Sequence, residues 1–147
     1  MELILVVVLL SILSLFAASR FMGSSSFSAY TLQERVISVI RQVQVNRMQS
    51  NVASPDNNFR LQVSSSCVGS VAACELTGSA QDARSDVVID KSAKFSVISG
   101  AANTINFNLL GNPVSGAVNI LIEDKHGRSR CQVEINSQGY VSKGTCS

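Results

Sequence analysis

Residues 3–18 are apolar throughout except for Ser11 and Ser14, with Glu2 ahead of the run and Arg20 closing it. At ~1.5 Å rise the 16 residues from Leu3 to Ala18 cover about 24 Å of a ~30 Å hydrocarbon core. A retained membrane helix is the leading expectation, with a cleaved secretory signal and a buried core helix as alternatives. A signal needs a basic n-region and a small-x-small cleavage site. No basic residue precedes this run, and Leu15-Phe16-Ala17-Ala18-Ser19 makes a poor site.

Gly23-Ser24-Ser25-Ser26 has low helix propensity and marks a bend or local break. Helical periodicity then returns and predicts a helix from Phe27 to Ala53. Leu32, Val36, Val39, Ile40 and Val43 recur at three- and four-residue steps, and Val45, Met48 and Val52 extend the stripe. Arg35, Arg41, Gln42 and Gln44 fall on the other side. Such a stripe packs on its own sheet more often than it fills a partner's groove. Ser54-Pro55-Asp56-Asn57-Asn58 ends the helix, because proline restricts the residue before it and the Asn/Asp cluster favours a turn.

From Phe59 the period falls to two. Short strands are predicted at 59–66, 71–77, 86–90, 95–99, 104–110, 117–122, 130–135 and 140–143. Ile105, Phe107 and Leu109 show the alternation most clearly. Gly78–Ser85 reads as an exposed loop. One long helix followed by strands is an α+β layout, with an antiparallel sheet covered by the helix. The expected organisation is a transmembrane helix half over 1–19, an amphipathic helix half over 20–54 and an antiparallel β domain over 55–147.

Two hairpins place the four cysteines. A two-residue turn at Gln138-Gly139 sets Cys131 opposite Cys146, and a Ser70-Val71 turn sets Cys67 opposite Cys74. Opposed Cα atoms in antiparallel strands lie ~4.5–5.5 Å apart, within disulfide range. The expected pairs are therefore Cys67–Cys74 and Cys131–Cys146. A zinc site is the competing reading, although the spacings match no CxxC knuckle.

Composition argues against catalysis. Among 147 residues there is no Trp, 5% are aromatic, and His126 is the sole histidine. A net charge of +2 announces no nucleic-acid partner. The expectation is a non-enzymatic protein without cofactor or metal. The stretch Glu123-Asp124-Lys125-His126-Gly127-Arg128-Ser129-Arg130 reads as a solvated hairpin turn. Contact of Arg128 and Arg130 with DNA phosphates or an acidic glycan is the less common alternative.

A carboxylate heading a membrane-grade helix costs about 2.5–3.5 kcal/mol at mid-bilayer and less near an interface. Glu2 with its apolar run resembles the N-terminus of type IV pilins and pseudopilins, whose mature chains begin Phe-Thr-Leu-Val/Ile-Glu. Met1 stands where that pattern has Val or Ile. The resemblance implies three further residues and a short basic leader upstream of Met1, and with them a prepilin peptidase as partner. A basic leader also resolves a conflict of orientation. Basic residues normally mark the cytoplasmic side of a span, yet Arg20, Arg35, Arg41 and Arg47 all follow this one. Paired cysteines instead place the C-terminal part in an oxidising compartment.

The C-terminal stretch carries a second resemblance. Ile105 to Pro113, Ile120-Leu121-Ile122 and Val133 to Val141 look like the end of minor pilins of the pseudopilin-H kind. Ser26 to Asn51 is most similar to the C-type minor pilin of the mannose-sensitive haemagglutinin (MSHA) pilus. The resemblance implies a pilin-like fold and a subunit that assembles or primes an MSHA-like type IV pilus. Its partners would be the inner membrane and the N-terminal helices of other pilins. The chain would begin as a single-pass inner-membrane protein with a periplasmic C-terminal domain and later reach the pilus at the cell surface. Glu2 would be the assembly residue, pairing in the filament core with a neighbour's N-terminal amine. Its plainer role is a carboxylate favoured by the helix dipole. A type II secretion pseudopilin and a membrane-anchored periplasmic binding domain are the alternative functions.

Overall fold

The computed structural model describes residues 1–21, 28–100 and 102–147, with side chains described from residue 29 onward in the second segment and to residue 16 in the first. The apolar run folds as helix α1, Glu2–Phe21. Among the described residues no helix is long and apolar enough to cross a membrane. The expected soft spot at Gly23–Ser26 lies outside the described residues.

The amphipathic stretch folds as α2, Ser28–Gln49. It is shorter than expected at its C-terminal end, because Asn51 adopts the left-handed conformation (φ 49°) before the proline is reached. Asparagine tolerates that conformation where branched residues do not. Leu32, Val36, Val39, Ile40 and Val43 are buried as the stripe requires. The stripe does not continue through Val45, Met48 and Val52, which are all exposed. Gln44 and Arg47 are buried in their place, together with Gln33.

Two four-stranded antiparallel sheets share the surface of α2. One has the order β3-β2-β1-β5 and the other β4-β6-β7-β8. The first contains β1 (Arg60–Val63), β2 (Cys67–Ser70), β3 (Val87–Ile89) and β5 (Thr104–Asn106). The second contains β4 (Ala93–Ser99), β6 (Val118–Asp124), β7 (Arg130–Ile135) and β8 (Val141–Cys146). Strand β6 shows the period of two along its whole length, with Val118, Ile120, Ile122 and Asp124 buried. Inward residues of both sheets and of α2 merge into one core that includes Val36, Ile40, Leu61, Val68, Ile105 and Ile120.

Three expectations are corrected here. The expected strand 59–66 is present but shorter, as β1 over Arg60–Val63: the backbone turns at Ser65-Ser66, the Ser64 amide donates to Cys67 O at 2.8 Å, and β2 follows. Residues 71–77 are not a strand. Ser70 caps a single helical turn, α3 (Val71–Cys74), its Oγ accepting from the Ala73 amide at 3.2 Å. The expected strand 104–110 stops at Asn106. Asn108 Oδ1 accepts from the amides of Leu110 (2.9 Å) and Asn112 (3.0 Å), closing a loop that turns Leu109 outward. Asparagine is a turn former for this reason. The segment Gly78–Ser85 carries one further turn, α4 (Ser79–Asp82).

Candidate functional site

Helix α1 begins at Glu2, which lies in its first turn, where the macrodipole favours a carboxylate. Behind it the side chains are exposed on every face, from Leu3 at 79% to Ile12 at 48%. The two polar residues of the run do not interrupt this surface. Ser11 Oγ donates to Val7 O at 2.8 Å and Ser14 Oγ to Leu10 O at 2.7 Å, so each hydroxyl is satisfied within the helix. A helix apolar all round is made to be covered by lipid or by other helices. With Glu2 as its one charged group over 2–16, the described part of α1 is an exposed apolar surface with a single carboxylate at its head.

The other helix is tied to the sheets by side-chain donors that sequence periodicity missed. Gln44 Nε2 donates to Gly111 O (2.9 Å) and to Gly139 O (2.8 Å), joining two loops. Gly139 is required at this junction: its φ is +84°, and a Cβ there would stand 2.4 Å from Gly111 O. Gln33 Nε2 donates to Gln132 O (2.7 Å) and Gly144 O (3.3 Å), where a bulge opens the β7–β8 ladder. Arg41 reaches Val141 O at 2.9 Å, and Lys143 pairs with Glu34 at the rim. The only signal in the sequence was the recurrence of long polar donors at 33, 41, 44 and 47 beside the apolar stripe.

The cysteines close as Cys67–Cys74 and Cys131–Cys146, with Cα separations of 6.0 Å and 4.1 Å. Bonded sulfurs leave nothing for zinc, and among the described residues no His, Cys, Asp and Glu cluster suits a metal. The geometry behind each pair differs from the expected one. Cys67 opens β2 while Cys74 ends α3, so the first bridge joins a strand to a helical turn rather than two strands. In the second, Cys131 does oppose Cys146, but the loop is one residue longer than expected. Ile135 pairs with Val141, and a bulge on β8 restores the cysteine register.

Beside the first bridge, Asp86 is buried and accepts from Arg84 Nε and Nη2, each at 2.8 Å. Burial pushes the Asp86 carboxyl up, but the hydrogen bonds from Arg84 and Ser70, with the Arg84 charge, outweigh it and hold the group below its ordinary value. The same hydrogen bond raises the Arg84 guanidinium above its own ordinary value, against a smaller opposing effect of burial. This cluster fixes the loop after α4 and is structural.

The charged stretch 123–130 is the β6–β7 connection. Arg130 Nε bonds Glu123 Oε1 at 2.8 Å, and the two residues are direct partners across the ladder. That pairing draws Arg130 back onto the sheet. Arg128 is exposed in the turn.

No protein-family model and no curated protein sequence matches the chain. Two crystal structures of the type IV minor pilin FimU of Pseudomonas aeruginosa match it in three dimensions, each with TM-score 0.50 and 10% identity. One alignment covers 79% of this chain and 92% of FimU, and the other covers 80% and 88%. The fold is pilin-like. At this identity the likeness shows the fold alone. Within it, helix α2 lies on the antiparallel sheets, and the described side chains of α1, to residue 16, stay exposed.

Proposed function

We propose that this chain is a structural, non-catalytic subunit of a pilus-type filament, which waits in the inner membrane and assembles through α1. The observation that carries the reading is a helix exposed and apolar on every described face, headed by one carboxylate and attached to a pilin-like domain. Lipid covers such a surface before assembly, and the helices of neighbouring subunits cover it afterwards. The apolar run is slightly short for a bilayer, a mismatch met by local thinning or by residues upstream of Met1. Two disulfides support a periplasmic side for the domain, because paired cysteines persist in oxidising compartments.

In the low-dielectric filament core Glu2 needs a cation, and an N-terminal amine of an adjacent subunit supplies one. That ion pair sets the axial register between subunits. A prepilin peptidase would act before this step if a leader precedes Met1.

Support for an MSHA-like type IV pilus over a type II secretion pseudopilus comes from the sequence resemblance of Ser26 to Asn51. The genes beside this one distinguish the two systems. The reading is tested by Glu2→Ala in the native host. The variant should remain in the membrane fraction with both disulfides formed, while its amount in sheared filaments drops at least about tenfold, the order of a lost buried charge pair. Incorporation at the unsubstituted level would refute the assembly role and favour a membrane-anchored binding domain.

A further inference from the structure

We propose that a cleft between the exit loop of α2 and the β1–β5 edge binds a small carboxylate carrying an apolar group. The cleft has a volume of about 460 Å³ and no acidic side chain in its lining. At its base lies Arg47, 3% exposed. Its Nε donates to Phe107 O at 3.0 Å, its Nη1 to Ser50 Oγ (3.0 Å) and Val52 O (2.8 Å), and its Nη2 to Ala53 O at 3.4 Å. These partners are all neutral. Arg60 stands on β1 beside it and spends Nε on Asn106 Oδ1 at 2.9 Å. Among the described residues neither arginine has a carboxylate within ion-pair distance. Asp56, close in sequence, turns its Oδ1 to the Asn58 amide instead.

The hydrogen-bonding capacity left over in the cleft is mainly that of donors. Asn106 Oδ1 is taken by Arg60, and Asn108 Oδ1 by two backbone amides. What remains are chiefly donors: the Nη groups of Arg60 and the Nδ2 groups of both asparagines, beside the Ser54 hydroxyl, which donates as readily as it accepts. The Arg60 fork and two amide donors, over the positive charge of Arg47 and with no carboxylate in the lining, define an oxyanion site, and a planar carboxylate suits that fork. Ala53, Pro55, Phe107 and Val114 supply the apolar part of the lining. That lining favours an oxyanion attached to an apolar body over a bare, strongly hydrated ion.

Titration of the full chain in a non-ionic detergent, followed by amide and side-chain NMR shifts, tests the proposal with sodium benzoate as probe. Benzoate should shift Arg60, Asn106 and Asn108 saturably. Methyl benzoate, which lacks the charge, and inorganic phosphate, which lacks the apolar body, should bind at least about tenfold more weakly, a difference of about 1.4 kcal/mol each. Arg60→Gln should weaken benzoate at least about tenfold. Asn106→Asp conserves size and hands Arg60 a carboxylate of its own, so it should abolish binding, and it decides the matter if Arg60→Gln does not fold. No saturation below about 10 mM, the weak end of specific binding, would overturn the proposal. So would phosphate binding as tightly as benzoate, or benzoate binding unchanged by Asn106→Asp.

Discussion

Asp86 shows how a single buried carboxylate ties stability to pH. Its folded pKa is depressed by Arg84 and Ser70 despite burial. A depressed carboxylate contributes stability that is present above its unfolded pKa, about 3.9, and is lost as pH falls through the folded value. Asp86→Asn should therefore cost about 1–2 kcal/mol at pH 7, the figure kept low because Arg84 is 33% exposed. The gap between variant and wild type in urea midpoint should close as the pH drops below about 4. An equal gap at both pH values would mean that shape rather than charge holds the loop. The adjacency of Arg84 and Asp86 was on view in the sequence, but nothing in it told that pair from any other charged dipeptide spacing. Burial, supplied by β2 and β3, makes the difference.

Among the elements, α2 carries the lesson about period. Its apolar positions were legible because a helix on a sheet must bury one stripe, and Leu32 through Val43 are buried accordingly. Past Val43 the helix meets loops whose carbonyls have no strand partner, and there the buried positions are filled by donors. Gln44 is the clearest case. Gln44→Leu keeps the volume but leaves Gly111 O and Gly139 O without a protein donor, so it should lower unfolding stability by about 2 kcal/mol. Equilibrium urea unfolding would measure this, and a loss below about 0.5 kcal/mol would mean water replaces the amide. The hairpin β7–β8 makes a related point. The cysteine pair follows from a turn placed one residue short, because the bulge on β8 offsets the longer loop. Strand periodicity predicts neither feature, since both depend on how the ladder meets Gln33 and the neighbouring loop.

At the scale of the molecule, the described residues divide into a packed domain and the exposed helix segment 2–16. Among the described residues, those of the core cluster lie between Ala29 and Val141, and none belongs to α1. A chain beginning at Ser28 should thus keep both disulfides and unfold cooperatively in urea at a midpoint close to that of the full chain, without detergent. A broad, non-cooperative transition would show that α1 supplies part of the core. Short-range physics is readable from the residues alone: an apolar helix headed by Glu2, an amphipathic helix after it, a change to period two, and cysteines spaced for local bridges. The assembly candidate was legible for that reason, because a carboxylate ahead of an apolar run needs no tertiary partner to be noticed. Long-range packing is what divides the strands into two sheets, makes 71–74 a helical turn and brings Arg47 and Arg60 to one cleft. Those features depend on which carbonyls and charges come together from distant parts of the chain, and residue spacing along a sequence carries no record of that.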